Sequence, residues 1–170
     1  MAEEDVVGMD DDLYDDEDTM KDKYLTFHLA GEDYGLDIAF VTEIIGIQRI
    51  TEVPDMPAFV KGVINLRGKV IPVMDVRLRF HLPEREYDVR TCIIVVDINA
   101  AAVGLVVDQV NEVVDIPADH VEPPPRTTKG ASSRFLKGMG KVDDQVKILL
   151  NVDSLLHEEE LQQVAVAAGR

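Results

Sequence analysis

Side chains capable of acid–base, nucleophilic or metal chemistry occur throughout this 170-residue chain, but their spacing does not bring them together. The four histidines, His28, His81, His120 and His157, are scattered, with neither a His-x3-His pair nor a His-Glu-x-x-His helix to hold a metal. Cys92 is the single cysteine, so one chain can build neither a disulfide framework nor a cysteine zinc site. It lies in the apolar run 91–96 and reads as core filler. There is no Gly-x-Ser-x-Gly nucleophile elbow, phosphate-cradling glycine loop or dinucleotide fingerprint, and the pair Ser132-Ser133 sits in a basic loop. The acid pairs Asp15-Asp16 and Asp143-Asp144 belong to a charged leader and a tight turn, where no dry, pKa-shifting site is expected. A calcium loop starting at Asp10 fails on spacing: its sixth position is Asp15 rather than glycine, and its twelfth is Lys21 rather than glutamate. The expectation is a protein that is not an enzyme and carries no cofactor and no metal.

One polar group stands out for its setting instead. Residues 60–76 read as two β-branched apolar runs folded back on the tip 65–69, which carries Arg67 beside Gly68. A glycine there takes a positive φ at little steric cost, as a tight hairpin requires. The plain alternative is an ordinary hairpin with a solvated tip.

The rest of the chain supplies short strands with turn signals between them. Residues 24–29 alternate at period two, with Leu25, Phe27 and Leu29 on one face and His28 on the solvated one. Asp37 can cap a short helix that puts Ile38, Val41 and Ile45 on one side, and residues 48–53 read as a strand. After a polar loop at 81–90, the segments 91–98, 103–110, 112–116, 135–142 and 145–152 are more continuously apolar, the pattern of strands covered on both faces. The proline run 123–125 excludes a central strand there, and a final helix is expected from about 155 to 168, with Leu161, Val164 and Ala168 on its apolar side. Many short strands and few helices predict a mainly β, barrel-type architecture.

Charge is unevenly placed. Residues 1–23 hold eleven acidic and two basic side chains, −9 of the formal −16, and the segment 9–18 has too little apolar material to offset its self-repulsion. Disorder is expected for 1–22. Two basic windows, 61–80 and 126–141, could serve nucleic acid, but the rest of the chain is still negative and lacks a nucleic-acid-binding motif, so a solvated or protein-binding rim is favoured. No apolar run approaches the roughly 20 residues of a membrane span, and the acidic N-terminus is unlike a secretory signal, so a cytoplasmic location without membrane insertion is expected.

Several motifs, taken in order, carry a resemblance: Tyr34 to Ile38 followed by Val41 and Glu43, Lys61 to Val63, Asn65 to Gly68, Pro72 to Arg77, and Val103 to Asp108. Over about 24–156 the chain resembles the CheW family, the chemotaxis adaptors that couple receptors (methyl-accepting chemotaxis proteins) to the histidine kinase CheA. The resemblance implies two packed, small, five-stranded SH3-like β-barrels with short helices, here 23–85 and 86–153 with strands that can exchange, followed by a C-terminal helix at 154–170. It also implies two partners: the cytoplasmic tip of a receptor, seated between the barrels, and the regulatory domain of a CheA-like kinase at barrel ends. The protein alone would be a monomer, recruited to membrane-associated receptor arrays.

Carried over residue by residue, the receptor-binding set is Arg67, Glu43, Val41, Ile38, Asn65, Leu66, Gly68 and Gly62, with Arg67 paired to Glu43 on the short first helix. Gly62 would permit a close backbone approach, and Phe135 and Leu136 are weak candidates for the kinase-facing surface. The leader is longer and more charged than the family usually shows, and the loop 82–90 carries no motif. Two alternatives stay open: a coupling module of another two-component pathway, controlling surface motility or gene expression, and a small-ligand sensor using the inter-barrel groove.

Overall fold

The structure, a computed structural model, describes residues 20–124 and 135–155. Two antiparallel pairs open the chain's two sheets. β1 (Lys23–Leu29) folds back on β2 (Glu32–Asp37), and a three-residue 3-10 turn, Ile38–Phe40, leads into β3 (Val41–Gly46). The signature hairpin is β4 (Val60–Leu66) and β5 (Lys69–Asp75), closed by one helical turn, α1 (Val76–Arg79). Then follow β6 (Cys92–Ile98), β7 (Ala101–Val107), β8 (Gln109–Asp115), the two-residue β9 (Val121–Glu122), β10 (Leu136–Val142) and β11 (Gln145–Leu150).

These strands form a six-stranded sheet in the order β8-β1-β2-β11-β10-β9 and a five-stranded sheet in the order β3-β6-β7-β5-β4. The fold is therefore mainly β and built of two packed units, as expected, but the strand count and the closure differ. One sheet has six strands, and in neither do the two edge strands pair to close a barrel. Sheet membership does not follow chain order. β1 and β2 join the C-terminal strands, whereas β6 and β7 join β3, β4 and β5, through parallel pairings of β2 with β11 and β5 with β7. The chain crosses between sheets twice, through Ile38–Phe40 and through the single residue Asp108.

The continuous apolar runs are explained by three apolar layers. Alternate residues of β6, Ile94, Val96 and Ile98, enter the large cluster between the sheets, where Leu25, Phe27, Leu29 and Leu36 meet them from the six-stranded sheet. Ile93 and Val95 point the other way, into a second cluster with Ile64, Ile71, Val73 and Val106. A third, smaller cluster of Tyr24, Ile116 and Leu149 fills the far side of the six-stranded sheet. β1 is thus covered on both faces rather than half-buried: Thr26, on its presumed polar side, is buried and donates its hydroxyl to the Glu112 carbonyl at 2.7 Å. Each such apolar side chain contributes roughly 1.5–3 kcal/mol of burial free energy.

Two local expectations are overturned. The helix expected from Asp37 stops after Phe40, capped by the Asp37 carboxylate accepting from the Ala39 amide at 3.0 Å. From Val41 onward the chain is strand: Val41, Glu43 and Ile45 are half-buried, and Thr42, Ile44 and Gly46 are exposed. That segment satisfies both periodicities, and its β-branched residues gain more by pairing with β6. The expected strand at 48–53 reduces to one bridge between Thr51 and Val63. The acidic leader up to residue 19 and the expected C-terminal helix beyond 155 lie outside the described residues.

A rimmed concavity at the end of the five-stranded sheet

The hairpin tip is a two-residue turn in which Arg67 and Gly68 both have positive φ, +50° and +87°. This is the primed turn whose twist suits antiparallel strands, and it is normally made of glycine or asparagine. The Asn65 carboxamide oxygen accepts from the Gly68 amide at 2.8 Å and locks it. Arginine pays a steric penalty in this conformation.

There the Arg67 guanidinium meets Glu43 on β3. Nη1 donates to Oε1 at 3.1 Å, and Nη2 donates to Oε2. β3 and β4 are the two outer strands of the sheet, so this bidentate pair spans an opening that no backbone ladder closes. Arg67 is 71% exposed and Glu43 28%. The hydrogen bonds from Arg67 hold the Glu43 carboxyl below its usual range, and the carboxylate in turn raises the guanidinium's pKa. Below the pair lies a concavity of about 350 Å³ lined by Thr42, Leu66, Lys69, Ile71, Val95 and Ala102 in addition to the pair itself. Polar donors surround an apolar floor, an arrangement suited to gripping a protein segment.

The predicted residues separate into groups. Arg67, Glu43 and Leu66 line the concavity, and Asn65 and Gly68 build its turn. Glu43 reaches Arg67 from a strand, not from a helix. Gly62 has φ +146°, and a Cβ there would lie 2.0 Å from the Thr51 carbonyl oxygen, so the close approach is real. Ile38 and Val41 are half-buried against the inter-sheet core. Every wall of the Arg67 concavity comes from the five-stranded sheet, so it is not the crevice between the two units.

That crevice is a second, apolar groove of about 210 Å³, lined by Tyr34, Leu136, Met139 and Ile148 from one sheet and by Phe80 and Leu82 after α1. Leu136 is half-exposed in it. Phe135 is 1% exposed, stacked on Phe80 with ring centroids 5.4 Å apart and with the Arg79 guanidinium over its face at 4.8 Å, so it supports the frame from inside.

Three further residues, without assigned roles in the sequence, hold this frame. Asp75 is buried; its carboxylate caps α1 through the Arg77 amide at 2.9 Å and accepts from the Tyr87 hydroxyl at 2.8 Å. Arg77 forms a bidentate pair with Asp108, Nε to Oδ1 at 2.8 Å and Nη2 to Oδ2 at 2.7 Å, with each side chain 13% exposed. A charged residue ending an apolar strand is the signal that marks both aspartates, although nothing local says which donor each meets. Among the described residues, no group of three or more His, Cys, Asp or Glu could hold a metal ion, and no helix is long and apolar enough to cross a membrane.

Residues 23–160 match the sequence profile of the CheW-like domain. The chain belongs to the CheW-like family. The chemotaxis protein CheW of Klebsiella aerogenes is 35% identical over 147 residues, covering 86% of this chain and 89% of the relative. CheW of Treponema pallidum is 29% identical over 145 residues, covering 83% and 85%. Among solved structures, the scaffolding protein TtCheW from Thermoanaerobacter tengcongensis superposes with a TM-score of 0.76 at 40% identity, covering 82% of this chain and 94% of that one. CheW-like membership accounts for the two-sheet fold.

Proposed function

We propose that this CheW-like chain is a non-catalytic chemotaxis adaptor that couples receptors to a CheA-like histidine kinase in a membrane-associated array. The observation that carries the reading is the Arg67–Glu43 pair: an arginine set in a sterically costly turn conformation, its guanidinium 71% exposed, at the rim of an apolar-floored concavity. Strain retained at an exposed polar residue points to recognition rather than to stability. Two separate concave surfaces on one frame suit two partners. The inter-sheet groove, lined by apolar and aromatic side chains from both sides, suits the apolar anchors of a receptor's helical tip. The Arg67 concavity offers charge-assisted hydrogen bonds to a protein partner at the end of the five-stranded sheet.

The test is a titration of the full chain against a CheA regulatory domain and a receptor cytoplasmic fragment, separately and together. Arg67→Asn is the cleaner variant, because asparagine keeps the left-handed turn and removes the guanidinium; Arg67→Glu adds repulsion with Glu43. Both should retain the unfolding midpoint and weaken partner binding. Unfolding by Arg67→Asn, or undiminished binding of both partners, would overturn the reading.

A further inference from the structure

The loop between α1 and β6 begins as one wall of the inter-sheet groove, through Phe80 and Leu82. His81, at φ +61°, reverses the chain there, and the backbone bonds of this stretch are local: Phe80 N–H to the Val76 carbonyl, His81 N–H to that of Leu78, and Leu82 N–H to that of Arg77. Its long-range ties are the Phe80 ring packed on Tyr34 and Phe135, the Lys61–Glu84 pair at 2.7 Å, and the Arg77 side chain, which alone of these reaches its backbone. Nη1 donates to the Pro83 carbonyl at 2.8 Å while Nε and Nη2 grip Asp108.

Asp108 is the single residue between β7 of one sheet and β8 of the other. Its Oδ2 also accepts from the Ala30 amide at the β1–β2 turn, at 3.1 Å, and lies 3.5 Å from Arg85 Nη1. One carboxylate therefore ties α1 and the groove wall to the point where the chain changes sheet and to a turn of the opposite sheet. Apolar packing resists separation of the sheets but is weakly directional, whereas a forked guanidinium–carboxylate pair fixes position and angle. Phe80 already rests on Tyr34 of the opposite wall, ring centroids 5.8 Å apart, so the freedom left to this wall lies in how Leu82 and Pro83 stand relative to Leu136 and Met139.

We infer that Arg77, docked on Asp108, is a positioning residue that holds the 80–83 wall at a set distance from the six-stranded sheet and so keeps the inter-sheet groove open for a partner segment. The inference rests on the adaptor reading only for the identity of that segment. The experiment places spin labels at Glu86→Cys, beyond the wall, and Val146→Cys, on exposed β11, in a Cys92→Ser full chain, and compares Arg77→Lys and Asp108→Asn with the parent. Arg77→Lys keeps the charge and loses the fork, so it also covers an Asp108→Asn chain that fails to fold. The expected result is a mean distance shifted by more than about 2 Å, or split in two, with a cooperative melting transition retained. An unshifted, single distribution in folded Arg77→Lys would overturn the inference. Receptor-fragment affinity should fall about tenfold in the same variant; a shifted distance with unchanged affinity would uphold the positioning role and count against the receptor as occupant.

Discussion

Replacing Gly62 by alanine should destabilise the region that carries the signature hairpin through backbone overlap alone, without removing any side chain. The residue sits at φ +146°, a conformation that costs an L-residue about 1–3 kcal/mol. Its new Cβ would lie 2.0 Å from the Thr51 carbonyl oxygen, 2.7 Å from the Thr51 carbonyl carbon and 3.0 Å from Glu52 Cα. All three are backbone atoms, so no side-chain rotation relieves the overlap. Relief requires moving 51–52 away, which breaks the reciprocal Thr51–Val63 hydrogen bonds, both 2.8 Å, at about 1 kcal/mol each. The expected loss is therefore about 3–5 kcal/mol, a large part of the 5–15 kcal/mol that stabilises a typical domain. Urea denaturation of Gly62→Ala should show the midpoint falling with an unchanged slope, and hydrogen exchange at the Val63 amide should accelerate. A loss below about 1 kcal/mol, with Val63 still protected, would refute the steric account. Any binding defect in this variant is expected to follow the fraction unfolded, which would set Gly62 apart from Arg67.

Tyr87→Phe should cost about 1.5–3 kcal/mol in denaturant unfolding, because it removes the hydroxyl that donates to the buried Asp75 carboxylate and leaves that oxygen unsatisfied. Burial pushes the Asp108 carboxyl up, but hydrogen bonds from Arg77 and the Ala30 amide outweigh it and leave the pKa lowered. Its stabilisation is then fully present above the unfolded-state value near 4 and is lost as pH falls through the folded value, so Asp108→Asn should flatten the acid limb of the stability–pH curve below about pH 4. An acid limb as steep as the parent's would contradict this. Glu43 is likewise lowered, by its bonds from Arg67, so partner binding that needs the charged pair should persist to below the ordinary carboxylate range and then fall; Glu43→Gln should remove that acid dependence.

The turn at Arg67 and Gly68 was readable from the chain because turn chemistry is local: a glycine flanked by β-branched runs admits few alternatives. The doubly covered strands were readable for the same reason, since Ile93 to Val96 leaves no polar side to expose. The helix expected over Ile38 to Ile45 was not decidable locally, because both periods fit its apolar positions and pairing with β6 chose the strand. The lone bridge at Thr51 depends on Gly62 in another segment, and the Arg77–Asp108 pair joins residues 31 apart. Neither leaves a mark in the spacing of its own segment.

What the amino-acid order determined by itself was therefore the β character and the arginine-bearing hairpin, set by side-chain period and turn residues. Tertiary structure alone decided which sheet each strand enters, that Glu43 reaches Arg67 from an outer strand rather than a helix, and that the two concave surfaces are separate. Apolar strands of similar composition can pair in many orders at similar local cost, and only the simultaneous packing of all three apolar layers selects one of them.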